Sequence, residues 1–109
     1  MITEYIKKQG YFLFDGAFGT YYAQKYEDDQ EPCELANLYH PQRVANIHRE
    51  YIEAGADAVK TNTFSANEQQ LECSWDIIQR LLQEGYRIAK NAAQDQALVF
   101  ADIGPIMEQ

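Results

Sequence analysis

Positive charge is scarce in this chain. Nine Lys and Arg stand against 17 Asp and Glu, a formal net charge of −8. Phosphate backbones are bound by clustered Lys and Arg, so this balance argues against a nucleic-acid partner. Cysteine is scarcer still. Cys33 and Cys73 stand alone, outside any Cys-x-x-Cys pair and without a His at ligand spacing. They read as two reduced thiols rather than a disulfide or a local zinc knuckle. Long apolar runs are missing as well: none approaches the roughly 20 residues that cross a bilayer. Residues 1–10 lack the apolar core of a signal peptide, so the expectation is a cytoplasmic protein with no membrane partner. The acidic stretch Glu27–Glu34 holds five of the acids but lacks the alternating oxygens and central glycine of a calcium loop, and it reads as a solvated acidic loop.

The rest is ordinary for a folded protein. Hydrophobic residues make up 46% and charged residues 24% of 109 positions, enough for one small core and not for two. Thr3 to Gln9 reads as a short helix, capped by Thr3 and stopped by Gly10. Residues 11–14 read as a first strand, followed by a long connection from about Thr20 to His40 that is suspect as a functional loop. Pro41 opens a helix with Val44, Ile47, His48, Tyr51 and Ile52 on one face, and Gly55 closes it. A second strand spans residues 58–61. Ser65 and Glu68 have the spacing of a capping box. A longer helix after Ser74 would bury Ile77, Ile78, Leu81, Leu82, Tyr86, Ala89 and Ala92. A third strand spans residues 97–101.

Helix, β, α, β, α, β predicts parallel strands joined by right-handed crossovers. Each strand ends in small polar residues. Asp15-Gly16-Ala17-Phe18-Gly19-Thr20 follows the first, Thr61-Asn62-Thr63-Phe64 the second and Asp102-Ile103-Gly104 the third. Parallel strands bring such ends together, which predicts one site carrying Asp15, Asn62 and Asp102. Gly16 and Gly19 would let a bound molecule approach the backbone. Three strands leave both sheet edges open, so the expectation is the N-terminal part of something larger, prone to self-association through the open side.

Five collinear motifs give the chain a resemblance to the homocysteine S-methyltransferase family. They are Asp15–Thr20, Cys33–Leu38, His48–Asp57, Thr61–Asn67 and Asp102–Pro105. The resemblance implies an α/β fold comprising the first three strand-helix units of a (β/α)8 (TIM) barrel, incomplete at residues 1–109, with its site at the C-terminal strand ends. It implies homocysteine as substrate and methionine as product. Asp15, Gly16, Ala17, Gly19 and Thr20 would form part of the homocysteine pocket, where backbone N–H groups receive the substrate carboxylate. Asn62 and Thr63 would form its wall, and Asp102 would support it. Zinc activates the homocysteine thiolate in this family, held by three cysteines on late strands. Neither Cys33 nor Cys73 matches one, so these residues should bind no zinc and carry no catalysis alone. Cobalamin, folate, S-methylmethionine and betaine remain open as methyl donors.

Structural alternatives stand beside these roles. Asp15 and Asp102 could cap turns, Asn62 and Thr63 could satisfy local backbone groups, and Phe18, Phe64 and His48 read better as packing. The alternative to an enzyme part is a truncated, non-catalytic α/β fragment acting at most as a weak ligand-binding or interaction module.

Overall fold

The computed structural model describes residues 2–104, and side chains from Ile6 onward. Helix α1 runs Ile2–Gln9, α2 Phe18–Lys25, α3 Ala36–Tyr39 and α4 Pro41–Glu53. Strand β1 is Ala58–Lys60, followed by α5 Glu68–Leu71, α6 Trp75–Ala93 and strand β2 Leu98–Phe100. Among the described residues no helix is long and apolar enough to cross a membrane.

The protein is α/β, with two parallel strands in an open sheet paired Ala58 to Leu98, Val59 to Val99 and Lys60 to Phe100. The expected first strand is reduced to one parallel bridge, Phe14 to Ala58, so the order along the sheet is still first, second, third. A clasp anchors that segment. Asp57 Oδ2 accepts the Leu13 N–H at 2.9 Å and the Gln9 Nε2 amide at 2.8 Å, and the Asp57 N–H returns to Leu13 O at 2.7 Å. Its side chains find little cover: Tyr11, Leu13 and Phe14 stay exposed, with the Phe14 ring 5.2 Å from Phe100.

The core sits between the sheet and the two long helices, which pack on each other. Pro41 starts α4, where its missing N–H costs nothing. Gly55, at φ +110°, lets the chain turn out of the helix. Val44, Ile47 and His48 of α4 and Ile78, Leu81, Ile88, Ala89, Ala92 and Ala93 of α6 are buried. Full burial of a Val, Ile or Leu is worth about 1.5–3 kcal/mol. Val59 packs on Ala89 and Ala93, so small residues on α6 let the helix approach the sheet.

Several expectations change. Thr3 lies inside α1 rather than capping it; Gly10, at φ +84°, does end that helix, its N–H returning to Ile6 O. The connection over residues 20–40 is largely helical: α2, a 3-10 turn at Cys33–Leu35 and α3 occupy it, because Phe18, Tyr22 and Ala36 find a core against Val44, Ile47 and Ile88. Glu34 leaves the acidic run and is buried. Asn67, not Ser65, caps α5, which starts at Glu68: Asn67 Oδ1 accepts the Gln70 N–H, and the Ser65 N–H goes to Glu34 rather than back to Glu68. On α6, Leu82 and Tyr86 face solvent, while Gly85 and Ile88 complete the buried stripe. The expectation that no helix covers the third strand falls outside the described residues.

Candidate functional site

Asp15, Asn62 and Asp102 each follow the C-terminal end of a sheet segment, and a cleft of about 650 Å3 opens at that end. Its walls come from three separate parts of the chain. Gly16, Ala17, Gly19 and Thr20 supply the turn into α2 and the first turn of that helix. Thr61, Asn62 and Thr63 supply the segment after β1, and Asp102 lies after β2. Phe18 and Tyr22 give an aromatic flank, and Asp29, Glu31, Cys33 and Glu34 form the far rim.

Helix α2 starts at Phe18 without a side-chain cap, because Ala17 stands at the capping position. Its first N–H groups therefore lack the partner that a Ser or Asp would have given them. The turn ahead of it is tightly placed. A Cβ on Gly16 would come within 2.9 Å of the Tyr51 hydroxyl oxygen, so a larger residue there would have to displace the Tyr51 ring.

Asp15 holds the turn to β1 and is not itself part of the cleft wall. Its N–H donates to Ala58 O at 3.0 Å, and its Oδ2 accepts the Lys60 N–H at 3.2 Å. Oδ1 lies 3.2 Å from Lys60 Nζ, a charge contact without hydrogen-bond alignment. Burial pushes the Asp15 carboxyl above its usual range, and the hydrogen bonds and charge of Lys60 pull it back in part.

Beneath the cleft runs a polar network with its members buried or nearly so. Asn62 Nδ2 donates to Cys33 O at 2.8 Å and to Asn37 Oδ1 at 3.0 Å. Asn37 Nδ2 donates to Asn62 O at 2.8 Å and to Leu81 O at 3.1 Å, joining α3, the β1 exit and α6. Cys33 Sγ donates to Asn62 Oδ1 at 3.2 Å. Burial, with the Glu34 charge beside it, pushes the Cys33 thiol up to about 12, so it stays a protonated donor. Glu34 Oε2 accepts the Ser65 N–H at 3.1 Å.

A hydroxyl chain ties the two strand exits. Thr61 Oγ1 accepts the Asp102 N–H at 3.2 Å, and the Thr63 hydroxyl donates to Asp102 O at 2.7 Å. The proton between Thr61 and Thr63, 2.7 Å apart, must then come from Thr61. At the rim, the Tyr22 hydroxyl donates to Asp29 Oδ2 at 2.7 Å. Burial first, then this bond, pushes Tyr22 up to about 12, and the same bond holds the Asp29 carboxyl below its usual range.

Of the residues singled out from sequence, Gly16, Ala17, Gly19, Thr20, Asn62, Thr63 and Asp102 line this one cleft, and Asp15 braces it from behind. Asn62 and Thr63 also satisfy neighbouring backbone groups, so the structural alternative holds for their polar atoms. Glu34, Asn37, Lys60 and Thr61 lie in the motifs and the second strand read from sequence but were given no role of their own there. Glu34 and Asn37 sit within the Cys33–Leu38 motif, whose position in an apparent loop was the available signal. Among the described residues no group of three His, Cys, Asp or Glu side chains could hold a metal ion. Cys73, the second thiol, donates to Leu71 O.

The described residues also form a second groove, about 480 Å3, between α4 and α6; it holds none of the strand-end motif residues and includes Arg49 and Arg87, the latter paired with Glu84.

Residues 12–109 match the model of a protein family described as homocysteine S-methyltransferase. The chain is 40% identical over 99 residues to the methionine synthase of Mycobacterium tuberculosis, covering 83% of this chain and 8% of that protein. It is 42% identical over 90 residues to the methionine synthase of Mycobacterium leprae, covering 74% of this chain and 7% of that protein. A shorter stretch of 43 residues, 39% of this chain and 12% of the relative, is 41% identical to an S-methylmethionine–homocysteine S-methyltransferase of Mus musculus.

Proposed function

The chain belongs to the homocysteine S-methyltransferase family, and from that premise we propose that residues 1–109 are the N-terminal part of a (β/α)8 domain that binds homocysteine for methylation on sulfur, giving methionine. The observation that supports this reading best is the convergence of the motif residues. Three segments more than 80 positions apart from first to last meet in one cleft at the C-terminal strand ends, where barrel enzymes place their chemistry.

The division of labour follows from the groups present. The uncapped start of α2, with Gly16, Ala17 and Gly19 beside it, offers N–H groups and the positive end of a helix dipole to the substrate carboxylate. The acids Asp29 and Glu31 on the cleft wall favour the ammonium group. The thiol of a bound homocysteine would then point away from these anchors. Zinc, which the family uses to hold that thiol as a thiolate, finds no ligand set among the described residues. The role proposed for them is binding and orientation of the amino-acid end.

The test is an NMR titration of the 15N-labelled chain with L-homocysteine. Shifts should concentrate at Gly16, Gly19, Thr20, Asn62 and Thr63. Saturating ligand that moves none of these amides, or moves only those of the groove between α4 and α6, would refute the assignment.

A second reading, an interaction module without catalysis, is favoured by one observation. Tyr11, Leu13, Phe14, Phe64 and Ile103 leave large apolar side chains exposed around the sheet. Sedimentation velocity tests it: a monomer at all concentrations removes its support.

A further inference from the structure

We propose that Lys60 is a positioning residue whose ammonium and main-chain N–H together clamp the Asp15 carboxylate, holding the Asp15–Gly16–Ala17 turn against β1. The Asp15 side chain is 0% exposed. A carboxylate taken out of water needs partners for its charge, and Lys60 supplies both kinds. Its N–H reaches Oδ2 at 3.2 Å, and its Nζ lies 3.2 Å from Oδ1 and 3.5 Å from the Asp15 carbonyl oxygen. Lys60 is also the only Lys or Arg among the described residues lining the cleft, whose lining includes the acids Asp29, Glu31 and Glu34. Held this way, its charge is directed to the turn.

The turn is wedged from the other side as well, by the Tyr51 hydroxyl against Gly16. The titratable groups facing Asp15 are therefore Lys60 from β1 and Tyr51 from α4. A protonated Asp15 would lose its charge contact with the ammonium and could place an O–H against the Lys60 N–H donor. The turn would then keep the Asp15 N–H bond to Ala58 O but lose its side-chain hold on β1, loosening the N–H groups assigned above to the substrate carboxylate. In that last step the inference rests on the proposed homocysteine pocket.

The experiment follows the Asp15 carboxyl carbon and the Gly16 and Ala17 amides by NMR across pH in the full chain. It compares wild type, Lys60→Met and Lys60→Arg. Lys60→Met should raise the Asp15 midpoint by a pH unit or more, about tenfold in proton affinity. The turn amides should shift below that midpoint and return above it, and Lys60→Arg should restore most of the wild-type behaviour. Should Lys60→Met fail to fold, Lys60→Gln, which keeps a polar chain without the charge, carries the comparison. An unchanged midpoint, or turn amides that ignore the Asp15 titration, would overturn the clamp. L-Homocysteine binding weakened in Lys60→Met and recovered above the new midpoint links clamp to substrate. A wild type that binds no homocysteine sinks the pocket instead, while the carboxyl titration still decides the clamp.

Discussion

Residues 11–14 and residues 77–81 both carry the large apolar side chains that favour burial, yet they end in opposite environments. Ile78 and Leu81 of α6 are 0% exposed, whereas Leu13 and Phe14 are 47% and 43% exposed. Hydrophobicity is the same in kind; what differs is whether a second layer lies opposite. Helix α4 packs on α6, whereas Leu13 and Phe14 of the first sheet segment keep nearly half of their surface in solvent. Burial energy accrues to the covered side, and the uncovered side keeps its side chains available for contact.

The widest gap should appear on truncation. Leu81→Ala should cost about 2–5 kcal/mol in urea unfolding, and Leu13→Ala less than about 1 kcal/mol. Equal losses would erase the distinction between the two regions.

His48 sharpens it through pH. The ring is fully buried on the α4 face, 5.2 Å from Phe18, with neither nitrogen hydrogen-bonded, and burial lowers it from 6.5 to about 4. Between those values the unfolded chain binds a proton that the folded chain refuses. Stability contributed by the neutral ring is therefore complete above pH 6.5 and lost as pH falls toward 4, by about 3 kcal/mol in all. His48→Leu should flatten that part of the pH–stability curve, and a slope unchanged by the substitution would assign it to other groups.

Gly85 probes the tightest place on the covered side. A Cβ there would meet Asn37 Nδ2 at 2.8 Å and Thr63 Cγ2 at 2.9 Å. Gly85→Ala should cost about 1–3 kcal/mol and shift the Asn62 and Thr63 amides; a neutral effect would mean that the polar floor of the cleft yields easily. The smallest effect is expected at the end of α6. Gln94 has φ +50° and ψ −120°, strained for a side-chain-bearing residue. Gln94→Gly should gain about 1 kcal/mol, read as a rise in melting temperature.

The sequence revealed the covered side well because its signals are local. Pro41, the spacing of Val44, Ile47 and His48, and the length of α6 all follow from neighbours within two turns. The strand-end motifs were legible for a similar reason, since parallel strands bring their C-terminal ends together. What stayed hidden depended on distant partners. Helix α2 contains Gly19, Thr20 and two tyrosines, poor helix formers on their own, and it folds against Val44 and Ile47. Ser65 has the spacing of a cap but spends its N–H on Glu34, 31 positions away. Residues 11–14 look like a strand by composition and reach only one bridge, because pairing on one side leaves the ladder short.

The clasp at Asp57 has a kinetic consequence. One carboxylate oxygen gathers Gln9 and Leu13, while the Asp57 main chain donates back to Leu13. The amide hydrogens of Leu13 and Asp57 can therefore meet solvent only when the same structure opens. Their exchange with deuterium should proceed with one shared opening free energy, below that of Leu81 and Ala89 in the helical core. Residues 9–15 would then detach and re-dock as a single cooperative unit while the rest of the protein stays folded.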